Sequence, residues 1–271
     1  IYNKNNNKIN CLVSSPGSAS NYIRCLFSSY FEIFYKIGNG IPKFSNIHNK
    51  FIFAASPILS ADLWNAVNID TNQIFDNDNF NRFISIEDFH KKKIFFSRYP
   101  FDDQEFFKWQ NSRTVVLTRD PFDWMISYYS HHEGLEYKNS ALIDKKIIDE
   151  SLTKLSRYFY FWINYISDNK NFDFEIVEYK QVINNPKKEF LRICNFYQYD
   201  ISNESLIDRC IEFNSKEFAL KNLNVNFHGT RFTSDERKKL VRDKLENYLA
   251  DKIKSFDLIK SYQTLVSIKN K

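Results

Sequence analysis

The chain has 271 residues, 43% of them apolar and 26% charged, a balance that excludes disordered, collagen-like and fibrous classes and suffices to bury a core without disulfide or metal staples. Its 38 Lys and Arg against 33 Asp and Glu leave a net charge of +5, which suits a small anionic ligand and is too weak a bias to point to nucleic acid. Glycine is scarce, with 5 positions in all, so each one marks a place where the backbone has a special need.

The Asn-rich start, Ile1 to Asn10, has no apolar stretch of the signal-peptide kind. Ile9 to Ser14 reads as a strand and runs into a loop of small residues, Ser15-Pro16-Gly17-Ser18-Ala19-Ser20-Asn21, followed by a helix carrying Tyr22, Ile23, Cys25, Leu26 and Phe27. Strand, small-residue loop and helix start are how backbone N–H groups and a helix dipole converge on a phosphate or sulfate; the same residues also make an N-capped turn. Neither GxxxxGK[ST] nor GxGxxG occurs, so nucleotide kinase, nucleoside triphosphatase and dinucleotide-binding readings lose support.

Residues 38–93 are irregular, punctuated at the start by Gly38-Asn39-Gly40, and are assigned to a substrate-facing cap within a single domain spanning residues 1–271. Ile94 to Ser97 and Thr114 to Thr118 read as strands. After the second come Arg119-Asp120-Pro121, Asp123 and Ser127: an Arg at a strand end, Asp and Pro opening a helix, and a hydroxyl two turns in, which together offer a fork and a hydroxyl to one phosphate. His131-His132-Glu133 stands just before Gly134 and reads as a helix C-terminus rather than a metal site. The aromatic stripe of residues 158–166 reads as a helix packed on the sheet, Phe174 to Tyr179 as another strand, and Ser234 to Phe256 as an amphipathic helix with Leu240, Val241, Leu245, Leu249 and Ile253 on its apolar face.

Strands alternating with helices predict a doubly wound α/β domain with a parallel sheet. Its ligand site is expected at the carboxyl ends of the strands, in the loops after Val13, Phe96, Leu117 and Glu178. Cys11, Cys25, Cys194 and Cys210 form no CxxC pair and have no His at zinc spacing, so they are expected as buried thiols in a reducing, cytoplasmic compartment, with no metal. No run approaches the ~20 apolar residues of a membrane span.

With both loops in view, the sequence resembles the sulfotransferase family that uses PAPS (3′-phosphoadenosine 5′-phosphosulfate). The family's second motif, strand-R-(N/D)-P-x-D-x-x-x-S, is matched by Arg119, Asp120, Pro121, Asp123 and Ser127. Its first, P-(K/R)-S-G-(T/N)-(T/S)-W-L, falls on Pro16-Gly17-Ser18-Ala19-Ser20-Asn21-Tyr22-Ile23. Its Y-E-D-L falls on Tyr179-Lys180-Gln181-Val182, preceded by Trp162, and its R-K-G loop on Phe227-His228-Gly229. The similarity spans roughly residues 9–256.

The resemblance implies a P-loop-like three-layer α/β fold, a central parallel sheet flanked by helices, with PAPS as cosubstrate and no metal. The acceptor is expected to be a hydroxyl or amine of a carbohydrate or small molecule, with neither nucleic acid nor membrane as partner. It implies that Arg119 and Ser127 hold the 3′-phosphate with help from His228, Gly229 and Arg231, that the loop Pro16-Gly17-Ser18-Ala19-Ser20-Asn21 holds the 5′-phosphosulfate, and that Tyr179 stands in the adenine region. Two positions depart from the pattern. Gly17 replaces the family's loop cation, and the K-T-H-x-P segment falls on Phe96-Ser97-Arg98-Tyr99-Pro100, where Arg98, which cannot accept a proton, replaces the family's His. Either Arg98 supplies the missing cation and another group is the base, with His90, His131, His132 or a cap carboxylate as candidates, or the site binds the nucleotide without transfer. An ion pair of Arg98 with Asp102 or Asp103 is the plain structural alternative.

Overall fold

The computed structural model describes residues 8–15, 17–41, 52–54, 94–98, 112–136, 145–222 and 235–268. Five strands, β1 (Ile9–Ser14), β2 (Ile52–Ala54), β3 (Ile94–Arg98), β4 (Ser112–Thr118) and β5 (Asp173–Glu178), form one sheet in the order β2-β3-β1-β4-β5, and every pairing is parallel. The helices are α1 (Ser20–Phe34), α2 (Pro121–Glu136), α3 (Lys145–Asp168), α4 (Tyr179–Asn184), α5 (Pro186–Phe196), α6 (Glu204–Phe213), α7 (Lys216–Asn222), α8 (Asp235–Ser255) and α9 (Leu258–Ser267).

A parallel sheet is covered on both faces, so its inner strands must be compatible with burial along their whole length. All seven residues of β4 are buried. Ser112 and Thr114 are tolerated there because their hydroxyls bond each other at 2.6 Å, and β4 starts two residues before the expected Thr114 because Ser112 and Arg113 already pair with β1. Alternation divides the core in two. Cys11, Val13 and Val116 pack with Trp124, Tyr158, Phe159, Trp162 and Leu245 under α2, α3, α8 and α9. Leu12, Val115, Leu117 and Val177 pack with Phe27, Phe31, Phe190 and Cys210 under α1, α5 and α6. The result is the three-layer α/β arrangement expected from the sequence.

The helix starts follow local chemistry. Asp120 Oδ1 accepts from the backbone N–H groups of Phe122 (2.9 Å) and Asp123 (3.1 Å), with Pro121 opening α2 where no N–H is needed. Asn203 caps α6 through Leu206 N in the same way, and Pro186 opens α5. Past the end of α1, Gly40 has φ 78°, and a Cβ there would lie 2.5 Å from Ile33, so that turn admits only glycine.

Several boundaries differ from expectation. Tyr179 starts α4 rather than ending β5, and α2 continues through Gly134 to Glu136, so His131-His132-Glu133 lies inside a helix rather than at its end. β2 falls within residues 38–93 and joins the sheet edge; three residues are too few to show a strand's period. Residues 42–51 and 55–93, most of the expected cap, lie outside the described residues. On α8, Leu245, Leu249 and Ile253 are buried as expected, whereas Leu240 is 54% exposed. All four cysteines are buried free thiols, and burial raises the pKa of each. No helix among the described residues is long and apolar enough to cross a membrane.

Tyr158, fully buried on α3, donates its hydroxyl to Leu117 O at 2.8 Å, with Val13 O at 3.5 Å, and so ties the aromatic stripe to the carboxyl ends of β4 and β1. Tyr158→Phe removes that bond from a dry core and is expected to lower unfolding free energy by about 1–2 kcal/mol, read by urea denaturation with an unchanged m-value.

Candidate functional site

Strand order and register define where ligands can gather. The chain leaves β1 toward β2 and β3 on one side and returns through β4 and β5 on the other, so β1 and β4 bracket the point where the topology reverses. In the ladders Ser14 stands opposite Leu117 on one side and Arg98 on the other, and Thr118 stands opposite Glu178. The segments that follow β1, β4 and β5 therefore emerge side by side at one end of the sheet.

The first is the loop after β1. Ser14, Ser15 and Ser18 are fully buried and Ser20 is 4% exposed, so this run of hydroxyls is turned inward. Ser15 Oγ and Ser18 Oγ share a hydrogen bond of 2.7 Å. Gly17 (φ 80°) and Ala19 (φ 65°) are both left-handed, with Ser18 between them on the ordinary side. Alternation of this kind turns amides toward the inside of a loop, where they favour an anion, and α1 begins immediately afterwards with its positive dipole end. Pro16 lies outside the described residues.

The second is Arg119, the first residue past β4. Its Nη1 donates to Gly17 O at 2.9 Å, and its guanidinium lies over the Tyr179 ring, 3.8 Å from the centroid. Burial pushes the Arg119 pKa down, while Tyr179, Asp123 and Asp120 push it back up, and a guanidinium stays charged throughout. Three buried polar atoms at this edge, Ser14 Oγ, Thr118 Oγ1 and Arg119 Nε, have no hydrogen-bond partner among the described residues.

The remaining expected residues divide. Asn21 sits in the first turn of α1, and Ser127 is partly buried on α2, two turns beyond Pro121. Asp120 and Asp123 have structural partners: Asp120 caps α2, and Asp123 pairs with Arg242 of α8 at 2.9 Å. The backbone of Arg98 ends β3 opposite Ser14, and its side chain is outside what the structure describes, as are the side chains of His131 and His132. His90, His228, Gly229 and Arg231 lie outside the described residues. Among the described residues no cluster of His, Cys, Asp and Glu could hold a metal ion.

Three site neighbours were not singled out from sequence. Arg24, 2% exposed on α1, stacks 4.3 Å over Phe96 and donates to Asn21 Oδ1 at 3.2 Å, which fixes the orientation of that amide. Its signal is a lone Arg in an apolar helix, three residues after Asn21 and four after Ser20, the spacing that shares a helix face. Trp124 lies against the loop: a Cβ on Gly17 would stand 3.9 Å from its Nε1. Glu178, which precedes Tyr179, accepts from the Tyr262 hydroxyl of α9 at 2.6 Å, a contact between segments 84 residues apart that no local pattern reveals.

The arrangement suits one chemistry. Inward amides and hydroxyls, two guanidinium groups and the N-termini of α1 and α2 form an anion cradle.

Residues 81–263 match the family model described as the sulfotransferase domain. Three solved structures share the fold. Mouse sulfotransferase SULT7A1 complexed with PAP is 14% identical, with a TM-score of 0.50 over 94% of this chain and 89% of that one. Retinol dehydratase in complex with androsterone and the inactive cofactor PAP is 14% identical, with a TM-score of 0.55 over 91% and 79%. The same enzyme's complex with retinol and PAP is 15% identical, with a TM-score of 0.50 over 93% and 81%. No curated protein sequence matches the chain.

The left-handed pair in the loop gives opposite expectations for two small substitutions. Gly17→Ala places a Cβ at φ 80° and is expected to lower stability by about 1 kcal/mol, whereas Ala19→Gly removes a Cβ from φ 65° and is expected to leave stability equal or raise it by up to about 1 kcal/mol, both read as shifts in thermal midpoint.

Proposed function

The chain belongs to the sulfotransferase domain family, and from that premise we propose that it binds PAPS and moves its sulfuryl group to a hydroxyl or amine of a small-molecule or carbohydrate acceptor. The observation that carries this reading is the bond from Arg119 Nη1 to Gly17 O, which brings the two sequence motifs together at the reversal point of the sheet. The PAP named in the complexes of the structural neighbours supports the choice of nucleotide. The buried free thiols accord with the reducing, cytoplasmic setting proposed for it.

In this reading Arg119 and Ser127 take the 3′-phosphate, the hydroxyls of Ser18 and Ser20 with the loop amides take the 5′-phosphosulfate, and Tyr179 stands on the nucleoside side. Gly17 contributes its backbone. Asn21 is held through Oδ1 by Arg24 at the start of α1. His228, Gly229 and Arg231 are proposed to complete the 3′-phosphate pocket. The acceptor oxygen or nitrogen attacks sulfur in line, the bond from sulfur to the bridging phosphate oxygen breaks, and the acceptor's proton passes to a base, for which His90 is the first candidate. Negative charge grows on the bridging oxygen as that bond breaks, so a cation there lowers the barrier.

Gly17 supplies no such cation, and its φ of 80° disfavours any residue that would. Arg98, whose backbone stands opposite Ser14, is proposed to enter the site in that role. A second reading follows from the same glycine: a protein that keeps the nucleotide and transfers nothing.

Titration calorimetry with adenosine 3′,5′-bisphosphate tests the shared part. Binding is expected at tens of micromolar or tighter, and Arg119→Ala is expected to weaken it by roughly 10–100-fold, the equivalent of one charge-assisted contact; absence of binding by the unmutated chain removes both readings. Labelled PAPS with an acceptor panel separates them. If transfer occurs, Arg98→Ala is expected to lower kcat by at least about tenfold and to weaken the bisphosphate as well, because the bridging oxygen becomes a 5′-phosphate oxygen of that product; an unchanged kcat discards the role given to Arg98.

A further inference from the structure

We infer that Tyr179 is a positioning residue that makes the site select a nucleotide bearing a 3′-phosphate, by holding the plane of the Arg119 guanidinium rather than by stacking on adenine. The inference rests on the nucleotide reading above and deepens it.

A guanidinium is flat, and all its donors lie in that plane. A contact on its face uses none of them, while a hydrogen bond at its edge uses one. Arg119 has one of each: its face lies 3.8 Å from the Tyr179 ring centroid, and Nη1 donates to Gly17 O at 2.9 Å. The ring sets the tilt of the plane and the carbonyl sets its rotation. What remains is a fixed set of in-plane donors on the two terminal nitrogens. A long side chain held in this way loses little further freedom when a phosphate arrives, which is how planar recognition gains selectivity.

The ring is itself braced. Tyr179 opens α4 directly after β5, Thr118 pairs with Glu178 in the ladder, and Glu178 is held from α9 by the Tyr262 hydroxyl at 2.6 Å. The residues following Thr118 and Glu178 thus emerge side by side, which brings the ring to the guanidinium. The ring face covered by Arg119 is closed to a purine.

The test compares two nucleotides that differ in the 3′-phosphate, adenosine 3′,5′-bisphosphate and adenosine 5′-monophosphate, by calorimetry or by competition. Tyr179→Leu is expected to weaken the bisphosphate about tenfold and the monophosphate less than about twofold, and Tyr179→Phe, which keeps the ring, to change neither by more than about twofold. In an Arg119→Gln background Tyr179→Leu is expected to cause no further loss of bisphosphate affinity. If the Leu variant does not fold, Tyr179→Gln carries the same comparison. Parallel loss of both nucleotides makes Tyr179 an adenine platform and overturns the inference, as does an unchanged bisphosphate affinity. If the unmutated chain binds neither nucleotide, the nucleotide reading itself fails first.

Discussion

The site depends on one constraint, the parallel register that brings the ends of β1, β4 and β5 level. Because Ser14 pairs with Leu117 and Thr118 with Glu178, the β1 loop, Arg119 and Tyr179 emerge as neighbours although up to 164 residues separate them in sequence. The guanidinium of Arg119 then joins all three, through an edge bond to Gly17 and a face contact with Tyr179. A slip of one residue in either ladder would turn each side chain to the other face of the sheet and disperse the cluster.

The helices around this edge hold it in place. Asp120 and Asp123 add negative charge close to Arg119, yet the first is engaged in capping α2 and the second is paired with Arg242 from α8. Glu178 is likewise occupied by Tyr262 from α9. The acidic groups that would oppose an anion are thus turned to structural tasks, while the inward hydroxyls of the β1 loop, Arg24 and Arg119 set the character of the cradle. The C-terminal helices, remote in sequence from either motif, brace its outer wall through these two contacts.

The β1 loop also shows how backbone conformation and charge trade against each other. Gly17 occupies a left-handed conformation in which any side chain is strained, and the space a Cβ would enter is lined by Trp124. A cationic side chain is thereby disfavoured at this position. The positive charge found near the loop comes from elsewhere in the fold: Arg24 reaches back from α1 to Asn21, and Arg119 reaches across from β4.

The sequence by itself determined the strands β1, β3, β4 and β5 to within two residues, the parallel α/β class, and the two loops that meet, because short runs rich in β-branched and aromatic residues mark strands and an Asp-Pro pair announces a helix start. The Arg119, Ser18 and Tyr179 neighbourhood was legible for the same reason: each stands directly after a strand or at a helix start, where parallel sheets gather ligands. The three-residue β2, the helical start at Tyr179, the continuation of α2 through Gly134, the stacking of Arg24 on Phe96, and the contacts of Trp124 and Tyr262 were decided only by tertiary structure. The contacts among them join residues far apart along the chain, which leave no periodic trace in the residues themselves. Periodicity reports which face of an element is buried; it carries no record of which distant side chain will lie against it.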